Sequence, residues 1–239
     1  MIKNIVIMGA SGGIGSAFVR QLSSLYPDAD IHAFSRNPLN FNLENVTCYA
    51  IDYDNEDSIK DAALISSKTF MIDMVVVAIG ILHEANIKPE KSLKDISTEK
   101  FYRLYYVNAI LPALIAKYFA PLLNSGNKSF FAALSARVGS VSDNNLGGWY
   151  SYRASKSALN MIIKNVSIEI ARKNKMAIVV GLHPGTVKSN LSKPFQTSVP
   201  DNKLFNPDFS AAKMIEVLHS LEPNQSGRCF SWNGKEIAP

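Results

Sequence analysis

The sequence predicts a single α/β domain over residues 1–239, built on a doubly wound parallel sheet of about seven strands with helices on both faces. Three observations carry this. Short β-rich runs alternate with longer helical patterns along the whole chain. Those runs are apolar throughout instead of apolar at every second position, as strands covered on both faces must be. A glycine-rich turn, "MGASGGIGSAFV", follows the first of them.

Taken in order, "NIVIMG" is the first strand. The opening "MIKNIVIMGA" has too short an apolar core for a secretory signal and runs into the glycine turn without a cleavage-type tail. A helix follows through "SAFVRQLSSLY", then the strands "DIHAFS" and "VTCYAID", a helix in "DSIKDAALI" and the strand "DMVVVAIG". The next helix spans Tyr102 to Leu123. Its stretch "YYVNAILPALIAKYFAPLL" approaches membrane length, but Asn108, Pro112, Lys117 and Pro121 make it a buried helix and leave no reason for a membrane anchor. After it come "SFFAALS", a helix carrying Tyr152 and Lys156, "MAIVVGLHPG", a helix near Ala211 to Leu221, and the short strand "GRCFSW". The segment "KSNLSKPFQTSVPDNKLFNPD" breaks the alternation with three prolines. Residues 189–210 are therefore expected to form a loop on the substrate side, either a lid or a plain surface excursion.

The composition excludes several classes. With 47% hydrophobic and 19% charged residues the chain is an ordinary globular protein. A net charge of +5 could suit nucleic acid or a membrane surface, yet the basic residues are scattered and form no stripe, so no nucleic acid is expected. Cys48 and Cys229 fit no disulfide or zinc spacing and read as free thiols in a reducing, cytoplasmic compartment. The four histidines, His183 among them, lack metal-ligand spacing, and no metal site is expected.

The glycine turn points to a dinucleotide. Gly9, Gly13 and Gly15 let the backbone turn tightly and approach a pyrophosphate, while the following helix aims its N-terminal N–H groups at the negative charge. Such sites place a carboxylate at the end of the second strand for the adenine ribose. Here that strand ends in Ser35 and Arg36, which offer a 2′-phosphate a hydroxyl and a cation. NADP(H) is thus expected in preference to NAD(H).

The chemistry is carried by "GGWYSYRASKSAL". Residues four apart share a helix face, so Tyr152 adjoins Lys156 while Tyr150 falls under Ala154. Carbonyl reduction builds negative charge on oxygen, and a proton donor placed there lowers the barrier. Tyr152 is that donor, and a neighbouring Lys156 ammonium is expected to draw its pKa down toward working pH.

Together these motifs resemble the classical short-chain dehydrogenase/reductase family, whose glycine turn reads TGxxxGxG; Met8 stands where the family has threonine. The run "SARVGSVSDNNLGGWYSYRASKSAL" is most similar to the C-factor and Sniffer-like carbonyl reductase subgroup. The resemblance covers the whole chain and implies a Rossmann-type fold. It places Ser11 and Ile14 with the glycines at the cofactor, Asp52 at the adenine amino group, and Gly80 of "AIG" where the family has NNAG. It implies that Lys156 also binds the nicotinamide ribose and that Asn108 helps hold a proton-relay water. In "HPGTVKSNL" it sets Pro184, Gly185, Val187 and Ser189 at the carboxamide end. His183 receives no task.

The family's polarising serine falls at Ala136 when aligned on Gly139. Ser135 is taken as the catalytic hydroxyl on the expectation that the strand end bends, with Ser140 in reserve. Leu146, Trp149, Phe195 and Phe205 are expected to wall an apolar pocket. The implied activity is NADP(H)-dependent hydride transfer to a small, apolar carbonyl compound, or the reverse alcohol oxidation, in a homodimer or homotetramer. A sugar epimerase or dehydratase using transient oxidation would carry a larger carboxy-terminal domain. The remaining alternative is a non-catalytic NADP-binding regulatory or signalling module.

Overall fold

Each central strand divides its side chains between two cores, and that division builds the molecule. In the computed structural model, which describes residues 2–37, 39–84, 86–198 and 200–239, β1 (Asn4–Met8) sends Ile5 and Ile7 to one face and Val6 and Met8 to the other. The same alternation holds in β4 (Met74–Val77), β5 (Ser129–Leu134) and β6 (Ala177–His183). One face is covered by α1 (Gly13–Leu25) and α6 (Pro207–Ser220), the other by α2 (Glu56–Ser66), α4 (Leu111–Phe119) and α5 (Tyr150–Ala171). A strand with no solvent face must be apolar at every position, and burying each such side chain contributes about 1.5–3 kcal/mol.

The sheet has eight strands. Across it lie β3 (Val46–Ala50), β2 (Asp30–Ser35), β1, β4, β5, β6, β9 (Cys229–Ser231) and β10 (Glu236–Ile237), all parallel except the last. The about seven strands expected are therefore joined by one antiparallel edge strand, made by the last residues. From β1 the chain winds outward through β2 and β3, then returns to build β4 on the opposite side of β1. A crevice opens at the carboxyl ends of β1 and β4, the switch point at which such sheets bind ligands.

Two elements depart from the expected pattern. The helix foreseen over Tyr102 to Leu123 begins earlier, as α3 (Thr98–Tyr105), and passes through a π turn at Tyr106–Ile110 before α4. The segment expected as a loop at 189–210 contains 3₁₀ turns, runs into α6, and adds β8 (Leu204–Phe205), which pairs with β7 (Thr186–Val187) in a separate ribbon. Val199 of that segment lies outside the described residues. Both cysteines are free, and no helix among the described residues is long and apolar enough to cross a membrane.

Candidate active site

The glycine turn is held by sterics and by backbone hydrogen bonds. Gly9 has φ +83°, and a Cβ there would meet the Ala78 carbonyl oxygen of the next strand at 2.7 Å. A Cβ on Gly15 would lie 2.2 Å from the Gly9 oxygen. These glycines bring α1 close to the sheet, as the fingerprint requires. The N-cap of α1, Gly12, has no side-chain capping bond, and its first turn holds no acidic residue. The first N–H groups of α1 therefore have no side-chain cap, the condition under which a helix N-terminus can take an anion.

The cleft above the turn is lined by Gly9, Ser11, Ser35, Arg36, Asp52 and Gly80, all foreseen, together with Tyr53, Tyr106 and Arg103, which were not. Arg36 is exposed at the rim, while the buried Ser35 gives its hydroxyl proton to the Asn37 carbonyl. Arg103 is engaged on Glu84 in a fork of 2.9 and 2.8 Å. Arg103 holds the Glu84 carboxyl below its usual range. Tyr53 proves to be the brace of the turn: its hydroxyl accepts from Gly9 N at 2.9 Å. Met8 removes the hydroxyl the family places before the glycine, and a phenol from the end of β3 reaches the turn instead.

On the far side, a Cβ on Gly13 would be 3.7 Å from Cβ of Ser189 and 3.9 Å from the Lys188 oxygen, so the 184–189 loop closes against the turn. Pro184 accepts from Ser210 Oγ at 2.7 Å. Gly185, at φ +77°, leaves room for Phe205 and Trp232, and Val187 is buried in the β7–β8 pairing. Ile14 packs at the edge of the core beneath.

Asn108 and Lys156 converge at Gly80. A Cβ there would lie 3.3 Å from Asn108 Oδ1 and 3.4 Å from Lys156 Nζ. Asn108, fully buried in the π turn, accepts from Ile81 N at 2.9 Å. Its amide donates to Ile81 O at 2.9 Å and Ser155 Oγ at 3.1 Å. Thus one amide ties the end of β4 to α5, and π turns cluster where such functional demands interrupt a helix.

The electrostatics differ from the sequence expectation. Tyr152 is not drawn down: burial pushes its pKa up to about 12. Burial likewise pushes Lys156 down to about 8. The ammonium does not offset the rise at Tyr152, since Lys156 Nζ donates instead to the Leu134 carbonyl at 2.8 Å. Tyr152 is therefore a protonated phenol at working pH, and among the described residues its hydroxyl has no hydrogen-bond partner.

The turn after β5 bends, yet it does not bring Ser135 into line. Ser135 Oγ donates to Asn160 Oδ1 at 2.6 Å, two helical turns beyond Tyr152. Ser140, also buried, accepts from Asp143 N at 3.1 Å and contacts Ser142 Oγ at 3.4 Å. Both hydroxyls are committed elsewhere, and Ala136 belongs to the buried cluster that contains Tyr152. His183 is held neutral, with a pKa near 4, by burial and then by the Arg137 guanidinium.

Around Tyr152 lie Leu82, Ile87, Leu104 and Ala136, with Ile81, Trp149, Leu191 and Phe195 packed against them. The expected apolar wall keeps Trp149 and Phe195, whose ring centroids are 5.2 Å apart. It loses two members: Leu146 is 91% exposed, and Phe205 packs at an angle on Phe209 and edge-on to Trp232 behind Gly185. The signal for Leu82 and Ile87 was weak in the sequence, because they sit in irregular chain between β4 and α3.

With this geometry in place, comparison with known proteins is informative. The profile of the short chain dehydrogenase family matches residues 3–199. Over 229 residues, 95% of each chain, the sequence is 28% identical to 1-hydroxy-2-glutathionyl-2-methyl-3-butene dehydrogenase of Rhodococcus sp. (strain AD45). The fold is similar to that of the carbonyl reductase Sniffer of D. melanogaster, with a TM-score of 0.87, 22% identity and coverage of 100% of both chains. It is similar also to the NADPH-bound carbonyl reductase from chicken fatty liver, with a TM-score of 0.85, 24% identity and coverage of 100% of this chain and 94% of the other.

Proposed function

Because the chain belongs to the short chain dehydrogenase family, we propose that it is an NADP(H)-dependent oxidoreductase acting on a small, apolar carbonyl compound or the corresponding alcohol. The observation that carries the proposal is the convergence of Lys156 and Asn108 on Gly80, which lines the cleft beside the glycine turn, with Tyr152 buried one helical turn before Lys156 on α5. A bound nicotinamide would supply the hydride. Tyr152 hands its phenolic proton to the carbonyl oxygen as charge develops there, or takes a proton from the alcohol in reverse. Lys156 offsets the charge then left on the phenol, and Asn108 keeps the Gly80–Ile81 backbone in place.

The donor set fits NADP. Gly9, Ser11, Gly13, Ile14 and Gly15 would hold the pyrophosphate, Asp52 the adenine end, and Pro184, Gly185, Val187 and Ser189 the nicotinamide end; in support, Gly9, Ser11 and Asp52 line one cleft and Ser189 lies against Gly13. Arg36 and Ser35 at the rim favour a 2′-phosphate over a bare ribose, since a guanidinium pairs with phosphate oxygens. The NADPH of the chicken liver carbonyl reductase supports this reading. The 189–210 segment supplies Leu191 and Phe195 beside Tyr152, in keeping with a substrate-side role. Exposed Ile110, Met161 and Ile168, on the π turn and α5, support a homodimer or homotetramer, which light scattering would test.

One observation favours a second reading, a cofactor-binding module without turnover: Ala136 occupies the place of the polarising hydroxyl. A single experiment separates the two. Purified protein is titrated with NADPH and NADH, then followed at the nicotinamide absorbance with aldehydes, quinones and ketones. The enzyme reading requires tighter binding of NADPH and turnover that falls about 10²–10⁴-fold in Tyr152→Phe, with the NADPH dissociation constant unchanged. Binding without turnover of any carbonyl establishes the second reading.

A further inference from the structure

We propose that Glu90 is a positioning residue for the proton donor, its buried carboxyl group clamping the first turn of α5 so that Tyr152 and Trp149 hold their directions toward substrate. The proposal rests on the functional reading above. Glu90 is 0% exposed, and among the described residues it belongs to no ion pair. Burying such a group is unfavourable unless its oxygens are satisfied. Here both accept from one residue: Oε1 from Ser151 Oγ at 2.6 Å and Oε2 from Ser151 N at 3.3 Å. Ser151 directly precedes Tyr152 in the chain.

The main chain of Glu90 works on the same turn. Its carbonyl accepts from Trp149 N at 2.6 Å. That bond holds an unfavourable backbone: Gly147, Gly148 and Trp149 are left-handed in succession, at φ +63°, +65° and +51°. A tryptophan in that region is strained and persists only when its surroundings impose it. The helix does not impose it, since Trp149 occupies the N-cap of α5 without a side-chain capping bond. Glu90 supplies the missing cap from outside the helix, to Ser151 by its carboxyl group and to Trp149 by its backbone.

The consequence reaches substrate through Trp149. Its ring stands edge-on to Tyr152 with centroids 6.1 Å apart and leans on Phe195 at 5.2 Å. Glu90 also lies on the segment that bears Leu82 and Ile87, so the clamp joins two sides of one buried cluster. Acidic residues at a helix N-terminus are electrostatically favoured there, and a glutamate suits the place better than its amide.

The test uses the full protein with Trp232→Phe as parent, leaving Trp149 as the single tryptophan. In Glu90→Ala, kcat should fall about 10–100-fold, the scale of an ångström misplacement, while the NADPH dissociation constant stays within about twofold. Trp149 emission should shift to longer wavelength and become more quenchable by acrylamide. In Glu90→Gln, which keeps the volume and one acceptor, kcat should fall about 3–10-fold, with a smaller spectral shift; this variant decides the matter if the alanine protein does not fold. Ser151→Ala added to Glu90→Ala should cause no further loss. Unchanged kcat and unchanged emission in either folded variant, or equal losses in kcat and NADPH affinity, overturn the proposal. If the parent turns over no carbonyl, the functional reading fails on its own, and the clamp is judged by Trp149 emission alone.

Discussion

Two halves of one crevice are built on different principles. On the β1 side, the cofactor turn is held by main-chain atoms in contact: Gly15 lies against the Gly9 carbonyl and Gly9 against Ala78, with no room for a side chain. On the β5 side, each piece is held by a side chain from a distant segment: Asn108 on Ile81, Ser135 on Asn160, Glu90 on Ser151. Main-chain packing permits one residue type. Side-chain bonding permits exchange of partners, and the half proposed to be catalytic has Ala136 where the family motif has serine, while Gly9, Gly13 and Gly15 remain.

The sharpest way to break this contrast is Gly15→Ala. Its Cβ would fall 2.2 Å from a carbonyl oxygen, so α1 must move. Destabilisation of about 3 kcal/mol is expected, read as a drop of roughly 6–12 °C in melting temperature, with loss of measurable NADPH binding by titration. A variant that bound NADPH normally would show that backbone contact does not set the turn.

What could be read from the sequence follows the same division. The succession of strands and helices and the place of the glycine turn were legible because continuous apolar runs and obligatory glycines have few alternatives. Asn108 was legible as an amide in an apolar helix, but not the π turn that carries it, which has no compositional signature. The direction of Ser135 was not legible: one residue decides which face a strand end presents, and here it faces Asn160. The pairing of Tyr152 with Lys156 was correct as helix geometry, yet the ammonium's bond to Leu134 depends on the placement of β5.

The catalytic half should also show itself in pH dependence. Lys156 has its folded pKa lowered from 10.5 to about 8 by burial, so its ammonium is present below that pH and lost above it. Tyr152, raised to about 12, remains protonated throughout. Since kcat/KM for NADPH reports the free enzyme, it should fall about tenfold per pH unit above roughly pH 8. A profile flat to pH 10 would detach Lys156 from function.

A gain of function sharpens the contrast further. Ala136→Ser puts a hydroxyl into the buried cluster that contains Tyr152. A donor aimed at a developing oxyanion is a large term in evolved sites, and an installed one should raise kcat about 3–10-fold toward unactivated ketones without changing NADPH affinity. An unchanged or lower rate with intact folding would mean that the substrate oxygen does not approach this residue.

The smallest expected effect comes from a place where the glycine turn depends on a distant side chain. Tyr53 Oη accepts from Gly9 N at 2.9 Å, but that N–H is shared with the Phe34 carbonyl at 3.0 Å, so Tyr53→Phe leaves the donor partly satisfied. The loss should be about 1 kcal/mol, or roughly fivefold in the NADPH dissociation constant. Because Tyr53 touches the turn and not the Tyr152 cluster, kcat at saturating NADPH should stay the same. If kcat fell with affinity, the two halves would be mechanically joined through β1, and the distinction between a sterically fixed cradle and an independently adjustable catalytic wall would no longer hold.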